Sequence, residues 1–409
     1  MVTTVNSLYA DYFSSPSESP EKAKDWVKFV DVDRKILPLS KCKPDFSVNA
    51  KTTWKDTAKK ILIVILKIVI FPWGLYELAK FICQRIIMTP LFPMQSRIVK
   101  IFISLFTSNL VQKFAKTDQR FINALKEIFD NKTRNRNLNT IISSSLYPPL
   151  GHKVIIKQVV LEKNGKRYTG ILSGYKEYIN NGKWAIQATG NCEPSEMSAL
   201  HMISIYGEKQ YNTLLINPPG AGSQGRATPT TMGEAQEIGI SFLETALKAT
   251  DIVMAGRSLG NATVGQAILQ HTFIDEIKYT AISQMTFDRV STIAGAFAKM
   301  FTPISCLKGI TSKIVTKIAK WCCEMDSVAA AKKLERLKIP HIVVQSASRK
   351  FENVIPEPKF FTQDQVIPAE ASLGFALATE KVTKNKIFIG LQTDDHMTDD
   401  AIKETLKYL

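Results

Sequence analysis

Residues 251–265 read Asp-Ile-Val-Met-Ala-Gly-Arg-Ser-Leu-Gly-Asn-Ala-Thr-Val-Gly, an apolar run that passes through Gly256-Arg257-Ser258-Leu259-Gly260 into a helix-like stretch. Gly-x-Ser-x-Gly between a strand and a helix is the context of a nucleophile elbow, a tight turn that exposes a serine hydroxyl. The glycines matter because a side chain at either position would crowd the adjoining strand and helix. The chemistry this spacing could do is acyl transfer, with Ser258 attacking a carbonyl and holding the acyl group as a covalent ester. Five residues of this pattern recur by chance, so the reading depends on a base, an orienting acid and oxyanion donors being placed around Ser258.

Those groups have to be carried by regular elements, and from about residue 153 the hydrophobic period supplies them. Strands are expected at Val154–Leu161, Tyr168–Leu172, Lys183–Ala188, Tyr211–Ile216, the run before Ser258, Lys278–Ile282, Pro340–Gln345 and Lys386–Leu391. Asn164-Gly165 is a hairpin signal between the first two. Helices are expected from near Pro194, over roughly 231–249, over 262–271, through most of 290–333 and over 399–408. Short apolar strands alternating with helices imply an α/β fold, a mostly parallel sheet covered on both faces. The helical stretch 290–333 is placed to cover a site at the sheet edge.

With Thr-Gly-Asn at 189–191, Asn-Pro-Pro-Gly-Ala-Gly at 217–222, the elbow at 256–260, Asp-Gln-Val-Ile-Pro at 364–368 and Asp-Asp-His at 394–396, the segment from about 153 to 409 resembles an α/β-hydrolase. It is similar in particular to the SidB-like hydrolase proteins of Legionella and chlamydiae. The resemblance implies the chain order nucleophile, acid, histidine. Of the five histidines, His152 precedes the first strand, His201 and His271 fall in helices and His341 starts a strand. Only His396 follows the last strand, so it is the expected base. Glu352-Asn-Val-Ile-Pro356 and Asp364-Gln-Val-Ile-Pro368 both fit an acid-x-x-Ile-Pro pattern after the penultimate strand. Asp364 is favoured because a helix start follows it, although it requires a long excursion over 346–363; Glu352 is the alternative acid, and Asp394 and Asp395 rank third. The oxyanion donors implied are the N–H of Leu259 and that of Asn191. Gly220-Ala221-Gly222 is the weaker candidate, because only one helix separates it from the elbow. Cys192 could be a reactive thiol, but no histidine lies near it in sequence.

The remainder of the chain reads differently. The net charge is +16, and residues 1–150 hold 23 of the 53 Lys/Arg but 12 of the 37 Asp/Glu, a net +11. Within them, residues 59–94 carry Ile61–Leu66 and Ile68–Phe71, punctuated by Lys67, Pro72 and Gly74. A clean membrane span needs about 20 apolar residues, so an interfacial helix or shallow hairpin is expected, with Trp73 and Tyr76 at headgroup level; a spanning helix and a buried hairpin packed on the catalytic domain are the alternatives. More ordinary amphipathic helices are expected over 98–130. The organisation is therefore a helical, basic N-terminal region at 1–150 and a catalytic domain at 151–409. A basic region flanking an apolar one favours an anionic membrane surface over nucleic acid, for which no recognition pattern is present. The six cysteines match no metal or disulfide spacing, so free thiols and no cofactor are expected. Met1–Ala10 lacks a basic, apolar secretory signal, although an effector exported by a specialised machine would look the same. The expected activity is cleavage of an ester or thioester, on a lipid or an acylated substrate, by a membrane-associated enzyme. The alternatives are a catalytically inactive interaction protein on the same scaffold, and a cytoplasmic location.

Overall fold

The structure, a computed structural model, describes residues 27–29, 154–163, 166–188, 195–219, 223, 225–302, 305–396 and 400–409. The segment 59–94, the helices expected over 98–130, and Asn191, Cys192 and Gly220–Gly222 lie outside these residues.

Ten strands form one sheet: β1 (Val27–Phe29), β2 (Val154–Lys163), β3 (Lys166–Tyr175), β4 (Lys183–Ala188), β5 (Asn212–Ile216), β6 (Asp251–Arg257), β7 (Lys278–Gln284), β8 (His341–Ser346), β9 (Phe351–Glu352) and β10 (Lys386–Leu391). Their spatial order is β1-β2-β3-β5-β4-β6-β7-β8-β10-β9. β3 is antiparallel to both β2 and β5, whereas β5, β4, β6, β7, β8 and β10 run parallel. Setting aside the short strands β1 and β9, the eight remaining strands follow chain order except that the third and fourth exchange places. This is the α/β-hydrolase sheet.

The helices are α1 (Ser195–Gly207), α2 (Pro229–Thr245), α3 (Leu259–Gln270), α4 (Val290–Phe301), α5 (Lys308–Cys322), α6 (Ser327–Arg336), α7 (Leu373–Thr379) and α8 (Asp400–Thr405). Alternation along β6 shows how they cover the sheet. Ile252 and Met254 join Phe242 of α2, Val264 and Ile268 of α3 and Leu334 of α6 on one face. Val253 and Ala255 join Met202 and Tyr206 of α1 and Ile402 of α8 on the other. Successive side chains of a strand point to opposite faces, so a strand buried throughout, as β6 is, must be apolar on both.

Two helices start earlier than the periodicity places them. α2 opens at Pro229 rather than 231, because Thr228 and Thr231 form a reciprocal capping box and proline suits the first turn. α3 opens at Leu259, directly after the nucleophile candidate. No helix among the described residues is long and apolar enough to cross a membrane.

Candidate active site

β6 delivers Ser258 to the carboxyl edge of the sheet, and the backbone there is unusual. Ser258 has φ 52° and ψ −125°, a region that costs a non-glycine residue about 1–3 kcal/mol and persists only when its surroundings impose it. The surroundings do so. The Ser258 N–H donates to the Gln284 carbonyl at 3.0 Å, and the Ser258 carbonyl accepts from Thr286 Oγ1 at 2.8 Å and Asn261 N–H at 3.1 Å. A Cβ on Gly256 would lie 2.4 Å from Asn261 Cα and 2.6 Å from its nitrogen. The glycine of the motif is therefore required by the approach of α3 to β6.

A polar network that the sequence did not suggest lies beneath the turn. Ser283 Oγ donates to Asn261 Oδ1 at 2.7 Å and lies 2.8 Å from His341 Nε2. Asn261 Nδ2 reaches Ser327 Oγ at 3.4 Å. With the Ser283 proton committed to Asn261, the hydrogen bond to His341 needs a proton on Nε2. Burial, with the charge of Lys386 added, pushes this imidazole down to about 3, which keeps it neutral. His341 thus supports the residue whose backbone approaches the elbow. The only sequence signal was a histidine at the start of a buried strand.

His396 follows β10 and is buried. Its Nδ1 lies 2.8 Å from Asp364 Oδ2. The other oxygen, Asp364 Oδ1, accepts the N–H groups of Val366 and Ile367, each at 2.7 Å. The carboxylate is thus fixed from both sides, and the loops carrying the two residues are joined again by Gln365 N–H donating to the Asp394 carbonyl at 2.9 Å. His396 Nε2 is buried with no hydrogen-bond partner among the described residues. The Ser258 hydroxyl is not bonded to it here, and such contacts commonly tighten only around a substrate. Packing links the two sides of the site, because Leu259, beside Ser258, and Ile367, beside the acid, belong to one apolar cluster with Phe287, Val290 and Ile293.

Glu352 is elsewhere. It lies in β9, opposite Ile389 of β10, and its carboxylate accepts Tyr408 Oη at 2.6 Å and faces Lys407 Nζ at 3.6 Å. The long excursion that made Asp364 the more distant acid is closed at its neck. Thr362 N–H donates to the Ser346 carbonyl at 3.1 Å, Ser348 N–H to the Phe360 carbonyl at 2.9 Å, and Ala347 bridges to Phe361. The chain therefore returns to the end of β8 just before Asp364. Asp394 and Asp395 are exposed.

Leu259 occupies the first position of α3, where helix geometry leaves the N–H without an intrahelical acceptor. Asn191 lies outside the described residues, but its flanks are placed. Ala188 pairs with Gly256 of the elbow strand, and Ser195 N–H donates to Asn217 Oδ1 at 2.8 Å. Of the other histidines, His201 lies on α1 half-buried. His271 is buried between Glu244, 2.8 Å from Nε2, and Glu237, 3.5 Å from Nδ1. Burial works to lower the His271 pKa, yet hydrogen bonds and charge from the two glutamates outweigh it and raise the value.

The family model described as Chlamydia CHLPS protein (DUF818) matches residues 178–408. No curated protein matches the chain. Similar solved structures include an esterase from Pyrococcus furiosus, at 13% identity over 63% of this chain and 89% of that one, with a TM-score of 0.43. An alpha-beta hydrolase from Vibrio vulnificus matches at 13% identity over 62% and 79%, with a TM-score of 0.45. The ferulic acid complex of Est1E from Butyrivibrio proteoclasticus matches at 19% identity over 61% and 98%, with a TM-score of 0.41.

Proposed function

The chain belongs to the Chlamydia CHLPS protein (DUF818) family, and from the site it carries we propose that it is a serine hydrolase cleaving an ester or thioester through an acyl-enzyme. The observation that carries the reading is the buried Asp364–His396 hydrogen bond of 2.8 Å, made at the sheet edge where Ser258 sits on its strained turn. In this reading Asp364 holds the imidazole with its proton on Nδ1, so that Nε2 is free to accept. Ser258 Oγ attacks the acyl carbonyl while its proton passes to Nε2. The oxyanion of the tetrahedral intermediate is received by the N–H of Leu259 and that of Asn191, each such donor contributing about two to three orders of magnitude in rate. Collapse expels the alcohol or thiol, which takes the proton from His396. Water then repeats the sequence to release the acid.

The substrate side of the reading is a lipid or an acylated molecule at a membrane, with residues 59–94 as the anchor. Its support is the sequence of that segment. The test of the chemistry is labelling of the full chain by a fluorophosphonate probe. Wild type is expected to label, and Ser258→Ala and His396→Ala to lose the label. Undiminished labelling of Ser258→Ala sinks the proposal.

A further inference from the structure

The hairpin formed by α4 and α5 has two unlike faces. Inward, Ile293, Phe297, Ile318 and Trp321 pack with Leu259, the neighbour of Ser258. Outward, Met300 is 46% exposed, Leu307 40%, Ile310 55% and Ile314 51%, four of the eight large apolar side chains exposed among the described residues. Ile310 and Ile314 are one turn apart on α5, so they share a face. Exposed Lys313 and Lys317 interleave with them, and Lys320 flanks them. Lys299 and Lys308 continue the charge, and residues 290–323 contain no Asp or Glu. None of these lysines has an ion-pair partner among the described residues. What sets this face apart is the exposed apolar side chains among the lysines together with the absence of any acid over 290–323.

We propose that the outer face of the α4–α5 hairpin docks on an anionic lipid bilayer. Isoleucines ringed by lysines suit an interface in which apolar side chains enter the acyl boundary and ammonium groups stay with the lipid phosphates. Charge selects this occupant over others in the same chain. Residues 1–150 carry a net +11 and would be repelled by this face, as would the same face of a second copy. Because the inner face packs on Leu259, docking brings the elbow to the lipid, and on the hydrolase reading this makes a membrane-borne acyl ester the substrate. This site is separate from residues 59–94 and lies in the catalytic domain itself.

The test uses the full chain with a photo-crosslinking benzoylphenylalanine at position 314 or, as a control, at position 337. Leu337 is also exposed, but it precedes β8 and so lies at the opposite edge of the sheet. Vesicles are of phosphatidylcholine alone or phosphatidylcholine with phosphatidylglycerol. A lipid adduct is expected at 314, only with phosphatidylglycerol, and not at 337. Each of Lys313→Gln, Lys317→Gln and Lys320→Gln should lower the adduct yield about fivefold at low salt. Ser258→Ala should crosslink as wild type does, so a failure of the catalytic reading leaves this result standing. Absence of a lipid adduct at 314, equal yields at 314 and 337, indifference to phosphatidylglycerol, or an adduct to another protein segment instead overturns the proposal.

Discussion

Replacing Asp364 by asparagine tests the site most sharply, because the structure dictates how the amide must sit. Val366 and Ile367 both donate to Asp364 Oδ1 at 2.7 Å, so the amide oxygen has to stay there and the NH2 must face His396 Nδ1. Two donors cannot share that contact, so the neutral imidazole turns to the other tautomer, with its proton on Nε2. Nε2 can then no longer accept from Ser258. Loss of the correct tautomer with geometry otherwise kept is expected to lower kcat by about ten-thousandfold, which corresponds to about 5.5 kcal/mol of transition-state stabilisation. The backbone donors keep their acceptor, so the variant should fold and melt cooperatively. The assay is hydrolysis of a short-chain p-nitrophenyl ester, with thermal melting in parallel. Glu352→Gln is the matched control, expected to hold kcat within about a factor of two because its contacts with Tyr408 and Lys407 are peripheral ones. Asp364→Asn retaining more than about a tenth of wild-type kcat, or Glu352→Gln losing as much as Asp364→Asn, would refute the reasoning.

Gly256→Ala should cost about 1–3 kcal/mol or more, since its Cβ meets backbone atoms of Asn261 that cannot rotate away; a melting temperature unchanged from wild type, with fluorophosphonate labelling intact, would contradict the packing described at the elbow. His271 has a folded-state pKa raised by Glu237 and Glu244, so the stability it contributes is complete below the ordinary histidine value and is lost as pH rises through the folded one. Denaturant midpoints measured from pH 6 upward should therefore fall, and His271→Gln should flatten that fall; an unaltered slope in the variant would exclude the clamp as its source.

Much of this architecture was legible because it is local. The strands of the sheet announce themselves as short apolar runs, and the Gly-x-Ser-x-Gly turn needs only five adjacent residues. His396 stood out because it alone follows the last strand. The two acid candidates were harder to tell apart, since Glu352 and Asp364 carry the same acid-x-x-Ile-Pro pattern, and what distinguishes their surroundings is long-range. Phe351–Glu352 turns back to pair antiparallel with β10, and this takes Glu352 to the outer edge of the sheet, near Tyr408. The Asn261–Ser283–His341 network was not legible for the same reason. Its members are contributed by a helix and two strands, and no spacing in the chain connects them.

The closed neck of the 347–361 excursion has a consequence for how this protein can vary. Hydrogen bonds between Ser346 and Thr362 and between Ser348 and Phe360 make the loop a detour whose two ends are fixed together, so its contents do not set the position of Asp364. The cost of lengthening such a detour grows only with the logarithm of its length. The stretch around exposed Val354 and Ile355 is thus a cassette: it can be exchanged, extended or nicked by a protease while Asp364 remains in place. It is a point on the domain at which a reporter or an affinity handle could be grafted without touching Ser258, Asp364 or His396.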